Sequence, residues 1–388
     1  MPYNTEVAVI GTAIHAPLTD ARRSLEEKLY DVTRAALADA SLAINEIDGI
    51  VVAANDQLDG RAISVMAASG SVGGVDRDIL STPSASEHAF VMGALRIGSG
   101  QYRTQLVVSW SPTEVSSIPE AERLANDPYF HRALPLDELA AGALQAAALE
   151  HAVPEARDLA LAIVAKNRRH GARAYPTSNT GTADASIIAE SKVIRWPLRA
   201  AMVSPPMTGA VAIVLASADF IVERKEAPVA WLHGMGWATE ASFLGDRDLS
   251  RAPALETAVA RAFMESGIAD PLANIDVIEL ADATPYQELI AYEALRLCPR
   301  DAWGSRIASG AFEFGGALPV NPSGGAIAIN PVFCTGLVRI AEAANQVRGR
   351  AGPHQVSKTK TALAHAASGF AMQYQTALVL GREPARRQ

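Results

Sequence analysis

The 388-residue sequence is poor in cysteine, in aromatic residues and in clustered positive charge. Two cysteines, Cys298 and Cys334, exclude a disulfide framework and a cysteine-rich zinc site. No metal is expected. Lysine and arginine number 34 against 42 acidic residues, a formal net charge of −8, and no basic block is present. A nucleic-acid backbone is therefore not an expected partner. Long uninterrupted apolar runs are also missing. The window 200–218 is broken by Pro205 and Pro206, and the window 317–338 by Pro319, Pro322 and Pro331. A membrane span should be continuous, so each window reads as a loop plus a buried strand, and no membrane is expected. Met1–Val7 has no basic stretch leading into an apolar run, so no secretory signal is expected and the cytoplasm is the expected compartment.

What is present describes a packed α/β interior. Hydrophobic residues make up 49% and charged residues 20%, which excludes global disorder. The length suggests two or three domains' worth of chain. Short apolar runs alternate with amphipathic stretches. Val7–Thr12, Asp48–Ala53 and Gln105–Ser109 read as strands, with helices over Ser24–Ala40 and Glu87–Ile97 between them. A second series follows: strands at Val229–His233 and Asp276–Leu280, helices over Leu255–Ser266, Gln287–Leu297 and Leu337–Gln346, then strands Thr361–His365 and Tyr374–Leu380. The chain thus reads as two similar halves, 1–225 and 226–388. An insert at about 112–206, helical over Asp137–His151 and Glu155–Arg173, resembles a cap.

Four ordered words carry a family resemblance. They are AKNRRHGA at Ala165–Ala172, PLRAAMVSPPMTGAVAIVLAS at Pro197–Ser217, ELADATPYQELIAYEALRLC at Glu279–Cys298 and LPVNPSGGAIAINPVFCTG at Leu318–Gly336. Together they resemble the thiolase superfamily, most closely its sterol-carrier-protein-type branch. The resemblance implies an α/β fold of duplicated βαβαβαββ halves in five layers, dimerised through the first half. It implies a coenzyme A thioester as substrate and no tightly bound cofactor. The chemistry departs from the family. The nucleophilic cysteine position falls on Pro83 or, one residue on, Ser84, and the second cysteine position falls on Ala362. The Gly-His-Pro word stands as Ile329-Asn330-Pro331, and His-Asp-Cys-Phe as Ala281-Asp282-Ala283-Thr284. Thiolysis by the family mechanism is not expected. Thiolase-fold steroid side-chain aldolases likewise lack the cysteine, but carry tyrosines where this chain has Ala281 and Asn330-Pro331.

Candidate site residues follow from the residues and the resemblance together. Ser84-x-x-Glu87 reads as a capping box. Ser84 read instead as a nucleophile would have His88, one turn on, as its base. His88 in an apolar helix is either a satisfied core group or functional. His365, closing a strand before Ala366-Ala367-Ser368-Gly369, is the first choice for a general base. Asn330 could polarise a carbonyl in place of the family histidine, or sit in a plain Asn-Pro turn. Asp282 is expected to bind loop amides or to act in catalysis. Ser323, Gly324, Gly325, Ser368 and Gly369 are expected to bring backbone and hydroxyls close to a bound acyl chain. Cys334 is expected to be a packed thiol. Lys166, Asn167 and His170 read as a solvated helix face or a cofactor contact.

Three functions fit these residues. The first is an enzyme making or breaking a carbon–carbon bond of an acyl-CoA-type substrate without a covalent cysteine, by retro-aldol or Claisen-type chemistry. The second is a cysteine-independent acyltransferase. The third is a non-catalytic acyl-CoA-binding or scaffold subunit. A homodimer is expected, with Gln105–Ser109 as a strand with an exposed edge, and a small OB-fold protein is an expected partner.

Overall fold

A computed structural model describes residues 5–17, 23–111, 117–178, 181–204, 206–224 and 228–385. The expected divide at 225/226 and the expected start of the insert at 112 lie outside the described residues.

Nine strands form one mixed sheet. They are β1 (Val7–His15), β2 (Gly49–Ala53), β3 (Asp78–Thr82), β4 (Thr104–Trp110), β5 (Ala210–Ser217), β6 (Ala230–Thr239), β7 (Val277–Leu280), β8 (Thr361–Ser368) and β9 (Tyr374–Gly381). Their order is β3-β2-β4-β5-β1-β6-β9-β8-β7. In the first half the order counted along the chain is third, second, fourth, fifth, first. In the second half it is second, fourth, fifth, first. The missing third strand survives as one parallel bridge, Ile278 to Val320, beside β7. The fifth strand of each half runs antiparallel to its neighbours, and the outer pairs are parallel. This is the expected duplication. Within the sheet the two halves pair through two residue pairs, Ala8 with Trp231 and Val9 with Ala230.

The helices used below are α1 (Leu25–Asp39), α2 (Ser86–Gly98), α3 (Ile118–Ala125), α4 (Glu138–Ala152), α5 (Ala156–Ala174), α6 (Pro253–Ser266), α7 (Pro285–Ala294) and α8 (Thr335–Arg348). Ser24 starts α1 by accepting from the Glu27 amide, while Glu27 accepts from the Ser24 amide. Central strands are apolar on both faces, as expected of a covered sheet. Ile50 and Val52 of β2 face α1, whereas Val51 and Ala53 face α2. Helices α2 and α8 lie side by side between the two half-sheets, in a core shared by Phe90, Ile97, Leu337 and Ile340. With α1 outside one half-sheet and α6 and α7 outside the other, five layers result. Full burial of a side chain such as Phe90 contributes about 1.5–3 kcal/mol. Among the described residues, no helix is long and apolar enough to cross a membrane.

Three details differ from expectation. The window 317–338 holds no strand, only single bridges at Val320 and Pro331 on either side of a short helix at Gly325–Ala328. Strand β4 has no free edge, because β2 and β5 flank it. The open edge of the first half is β3, a strand that periodicity misses because it is largely exposed, with Leu80 at its centre.

Candidate active site

A cavity of about 350 Å³ opens above the N-terminal tips of α2 and α8. Three regions build it. The first half supplies Ser84, Ala85 and Glu87, and the insert supplies Glu122, His131 and Glu138. The second half supplies Asn330, Thr335 and Gly336, together with the β8–β9 corner at Ser368, Gly369 and Tyr374.

The α2 tip departs from the capping-box expectation. The helix starts one residue later, with Ala85 as an extended N-cap that has no side-chain hydrogen bond to the helix. Its first amides are thus left without an internal partner. The Ser84 hydroxyl instead lies 2.7 Å from His88 Nδ1. Glu87, only 1% exposed in an otherwise nearly uncharged helix, accepts from the Ser368 hydroxyl at 2.9 Å. The α8 tip is closed differently. Its Leu337 amide donates to the Ser86 hydroxyl of α2 at 3.0 Å. A Cβ at Gly336 would collide with the Glu87 carboxyl, so glycine there permits the two tips to meet.

Of the residues singled out from the sequence, Ser84, Asn330, Ser368 and Gly369 line the cavity. His88 stands behind Ser84 with its ring edge-on to Tyr374, centroids 5.8 Å apart. The Asn330 Oδ1 accepts from the Thr335 hydroxyl at 2.8 Å, which turns its amide nitrogen the other way.

His365 is not in the lining. Alternation along β8 puts Ala366 and Ser368 on the side of α2 and α8, and turns His365 to the opposite face with Leu363. There it is fully buried, 2.7 Å from Gln375 Oε1, and burial pushes its pKa down to about 4. Its Nδ1 has no partner. Asp282, Ser323, Gly324 and Gly325 lie beneath the cavity rather than in its lining. Asp282 accepts from the Ala326 amide and from Asn167, both at 2.7 Å. Burial holds its carboxyl well above the usual range, and Glu288 adds to this. Ser323 donates to Glu279 at 2.5 Å and accepts from Arg339 at 2.6 Å. Gly324 and Gly325 do allow a close approach, but to Gly171 of α5 and to the Asp282 carboxyl.

Lys166, Asn167 and His170 are neither solvated nor in the cavity. All three are buried, the Lys166 ammonium 2.7 Å from Glu288 and 3.0 Å from the Val320 carbonyl. Asn167 also donates to Glu288, at 2.7 Å, and His170 contacts the Asn321 carbonyl at 2.9 Å. They fasten the insert to the second half. Neither cysteine lines the cavity. Both are buried, and burial pushes Cys298 up to about 11 and Cys334 further still.

Several lining groups, His131, Glu87, Glu122 and Glu138 among them, are not site candidates on the sequence alone. The spacing of Glu87 from Ser84 points to a capping partner, although a lone carboxyl in an apolar helix is a signal. Glu122 and Glu138 look like ordinary helix acids. In the structure Glu122 accepts from the Glu138 amide at 3.0 Å. Burial, then the Glu122 and Asp137 charges, lift Glu138 to about 8. Burial likewise raises Glu122.

Residues 236–382 match the thiolase C-terminal domain-like family. Bovine sterol carrier protein 2 is 36% identical over 172 residues, 42% of this chain and 30% of that protein. The chain belongs to the thiolase superfamily, in its sterol-carrier-protein-type branch. Within that superfamily, acetyl-CoA acetyltransferase of Methanothermobacter thermautotrophicus is 31% identical over 47% of each chain. This thiolase-superfamily chain thus spans less than half the length of those two curated relatives. A solved Ltp2-ChsH2(DUF35) aldolase has the same fold, with a TM-score of 0.81 at 20% identity, covering 97% of this chain and 98% of that one.

Proposed function

We propose that this chain makes or breaks a carbon–carbon bond next to an acyl thioester by proton transfer rather than through a thiolate. The observation that carries this reading is a cavity at the two helix tips that contains Glu87 and Asn330 but no thiol. In the cleavage direction Glu87 takes the proton of a β-hydroxyl. The Cα–Cβ bond breaks, its electron pair passes into the thioester enolate, and an aldehyde or ketone leaves. The uncapped amides of α2 and the Asn330 amide hold the enolate oxygen. The proton then returns from Glu87 to the α-carbon, which restores the base. His365 has no part in this reading, because it lies on the other sheet face. The likeness to a solved aldolase lends support as a matter of fold.

The test is incubation of the purified chain with a β-hydroxyacyl-CoA. Release of a carbonyl product together with the shortened acyl-CoA is the expected result. Release of free CoA with acyl transfer would instead favour a second reading. In that reading Ser84 is the nucleophile and His88 its base, favoured by their 2.7 Å contact. Binding without turnover would mark a non-catalytic acyl-CoA-binding subunit. We carry three further expectations as part of the proposal: a homodimer, for which the open β3 edge is available; a small OB-fold partner; and a cytoplasmic location.

A further inference from the structure

The Glu87 carboxyl has no cationic partner among the described residues, and the Ser368 hydroxyl is its one hydrogen-bond donor among them. Its two oxygens therefore stand differently. Oε1 accepts from Ser368 at 2.9 Å. Oε2 has no hydrogen-bond partner among the described residues, yet it is not sealed from the cavity that Glu87 lines. It lies over Gly336, where a Cβ would displace it. Strand β8 turns Ser368 towards α2 and α8, on the same face as Ala366. The corner that follows is fixed as well. The Arg247 guanidinium donates to the Phe370 and Ala371 carbonyls at 2.8 and 2.5 Å. Gln375 donates to the Met372 carbonyl at 2.7 Å, and its own Oε1 lies 2.7 Å from His365 Nε2. These bonds hold Ala371 and Met372 at φ of 48° and 60°, a left-handed pair that would relax without them.

We propose that Ser368 is a positioning residue, which holds Glu87 by Oε1 so that Oε2 alone works as the base. An ionised carboxyl only accepts, so the Ser368 hydrogen must point at Oε1. A protonated carboxyl still accepts through its carbonyl oxygen, so the same bond persists once Glu87 carries the proton of the substrate. The proton is thereby kept on Oε2. The oxygen that takes it from the β-hydroxyl is the one that returns it to the α-carbon. Without the hydroxyl, the terminal torsion of a glutamate is broad, and the reacting oxygen loses its place. The inference rests on the reading of Glu87 as the base and adds the residue that orients it.

The test measures kcat and KM for carbonyl release from a β-hydroxyacyl-CoA in the intact protein and in Ser368→Ala, Ser368→Thr, Gly336→Ala and Glu87→Gln, each checked for folding by its melting curve. Ser368→Ala should lower kcat ~10–10²-fold, the worth of one hydrogen bond to a charged group, with KM within about twofold. Ser368→Thr keeps the hydroxyl and should recover most of that loss. Gly336→Ala displaces Oε2 from the opposite side and should also lower kcat. A second readout needs no turnover. In carbon-13 spectra of the glutamate carboxyls, with Glu87 assigned through Glu87→Gln, Ser368→Ala should shift the Glu87 signal and Ser368→Thr should leave it in place. An unchanged kcat in Ser368→Ala beside an inactive Glu87→Gln overturns the inference. So does a raised KM at unchanged kcat, or a threonine variant no better than the alanine one. If Glu87→Gln turns over like the wild type, the base reading falls. The Glu87 signal in Ser368→Ala then still decides the contact: a shift shows that Ser368 holds the carboxyl, and an unmoved signal overturns that too.

Discussion

Helices α2 and α8 occupy equivalent places in the two halves, side by side in the middle layer, yet their tips are finished differently. The α2 tip has no side-chain cap and presents Glu87 to the cavity. The α8 tip is capped from the other half by Ser86, and along its length Arg339 pairs with Glu279 at 3.1 Å, both fully buried. The polar groups of the second half are turned inward: Glu279, Asp282 and Glu288 find partners in α5, α8 and the 321–326 turn. Duplication therefore kept the frame while the two copies diverged in use. One tip keeps unsatisfied groups for a ligand, and the other half spends its charges on holding the insert in place.

The largest effect should come from breaking the inward network. Lys166→Met leaves Glu288 buried without its counter-ion, and should cost about 3–5 kcal/mol in urea denaturation. A loss below about 1 kcal/mol would mean the network is not what fastens the insert. Next is the open tip. Glu87→Gln should keep the fold and lower turnover ~10²–10⁴-fold, read from carbonyl release. Unchanged turnover would remove the chemical meaning of the difference between the tips.

A third measurement uses pH. Glu138 titrates near 8 in the folded chain, above the ordinary carboxyl value of 4.5. Between those values the folded state holds a proton that the unfolded chain releases, so stability falls as pH rises. Glu138→Gln lacks this loss. Relative to the wild type its melting temperature should rise from pH 5 to pH 8, by an amount equivalent to on the order of 1 kcal/mol. Parallel melting curves would show that the wall is better solvated than the structure indicates. The smallest effect distinguishes two serines two residues apart. Ser86→Ala removes the cap of α8 and should cost about 1 kcal/mol. Ser84→Ala removes no cap and should stay within about 0.5 kcal/mol. If Ser84→Ala is folded but inactive, acyl transfer through Ser84 replaces the proton-transfer reading.

The duplicated fold was legible because alternation of short apolar runs with amphipathic helices is a local signal, and the four ordered words reinforced it. The site was legible only in part. Ser84 and Glu87 have the spacing of a capping box, but their actual partners are His88 and the distant Ser368, 281 residues from Glu87. His365 required the parity of β8, which is set by pairing with β7 and β9 and not by its own neighbours. The helical periodicity of α5 does not reveal that Lys166 and Asn167 face inward, because the acids that make this tolerable lie 115 to 122 residues away. Glu138 acquires its character only where the insert packs over the cavity.

The sheet order also fixes when each part can be completed during synthesis. Apart from the two-pair seam with β6, the first five strands have all their partners once Ser217 has been made. The second half is different, because β9, its last strand to be made, sits between β6 and β8 and is needed to zip them together. Until Gly381 emerges, the first half can stand folded beside an unfinished neighbour. Through much of that interval the Lys166 ammonium remains in water, since Glu288 and the Val320 carbonyl lie 122 and 154 residues downstream. The insert therefore has its full set of docking partners only after the chain has passed Val320, when the first half-sheet already has its five strands, and the cavity wall it carries follows the sheet it stands beside.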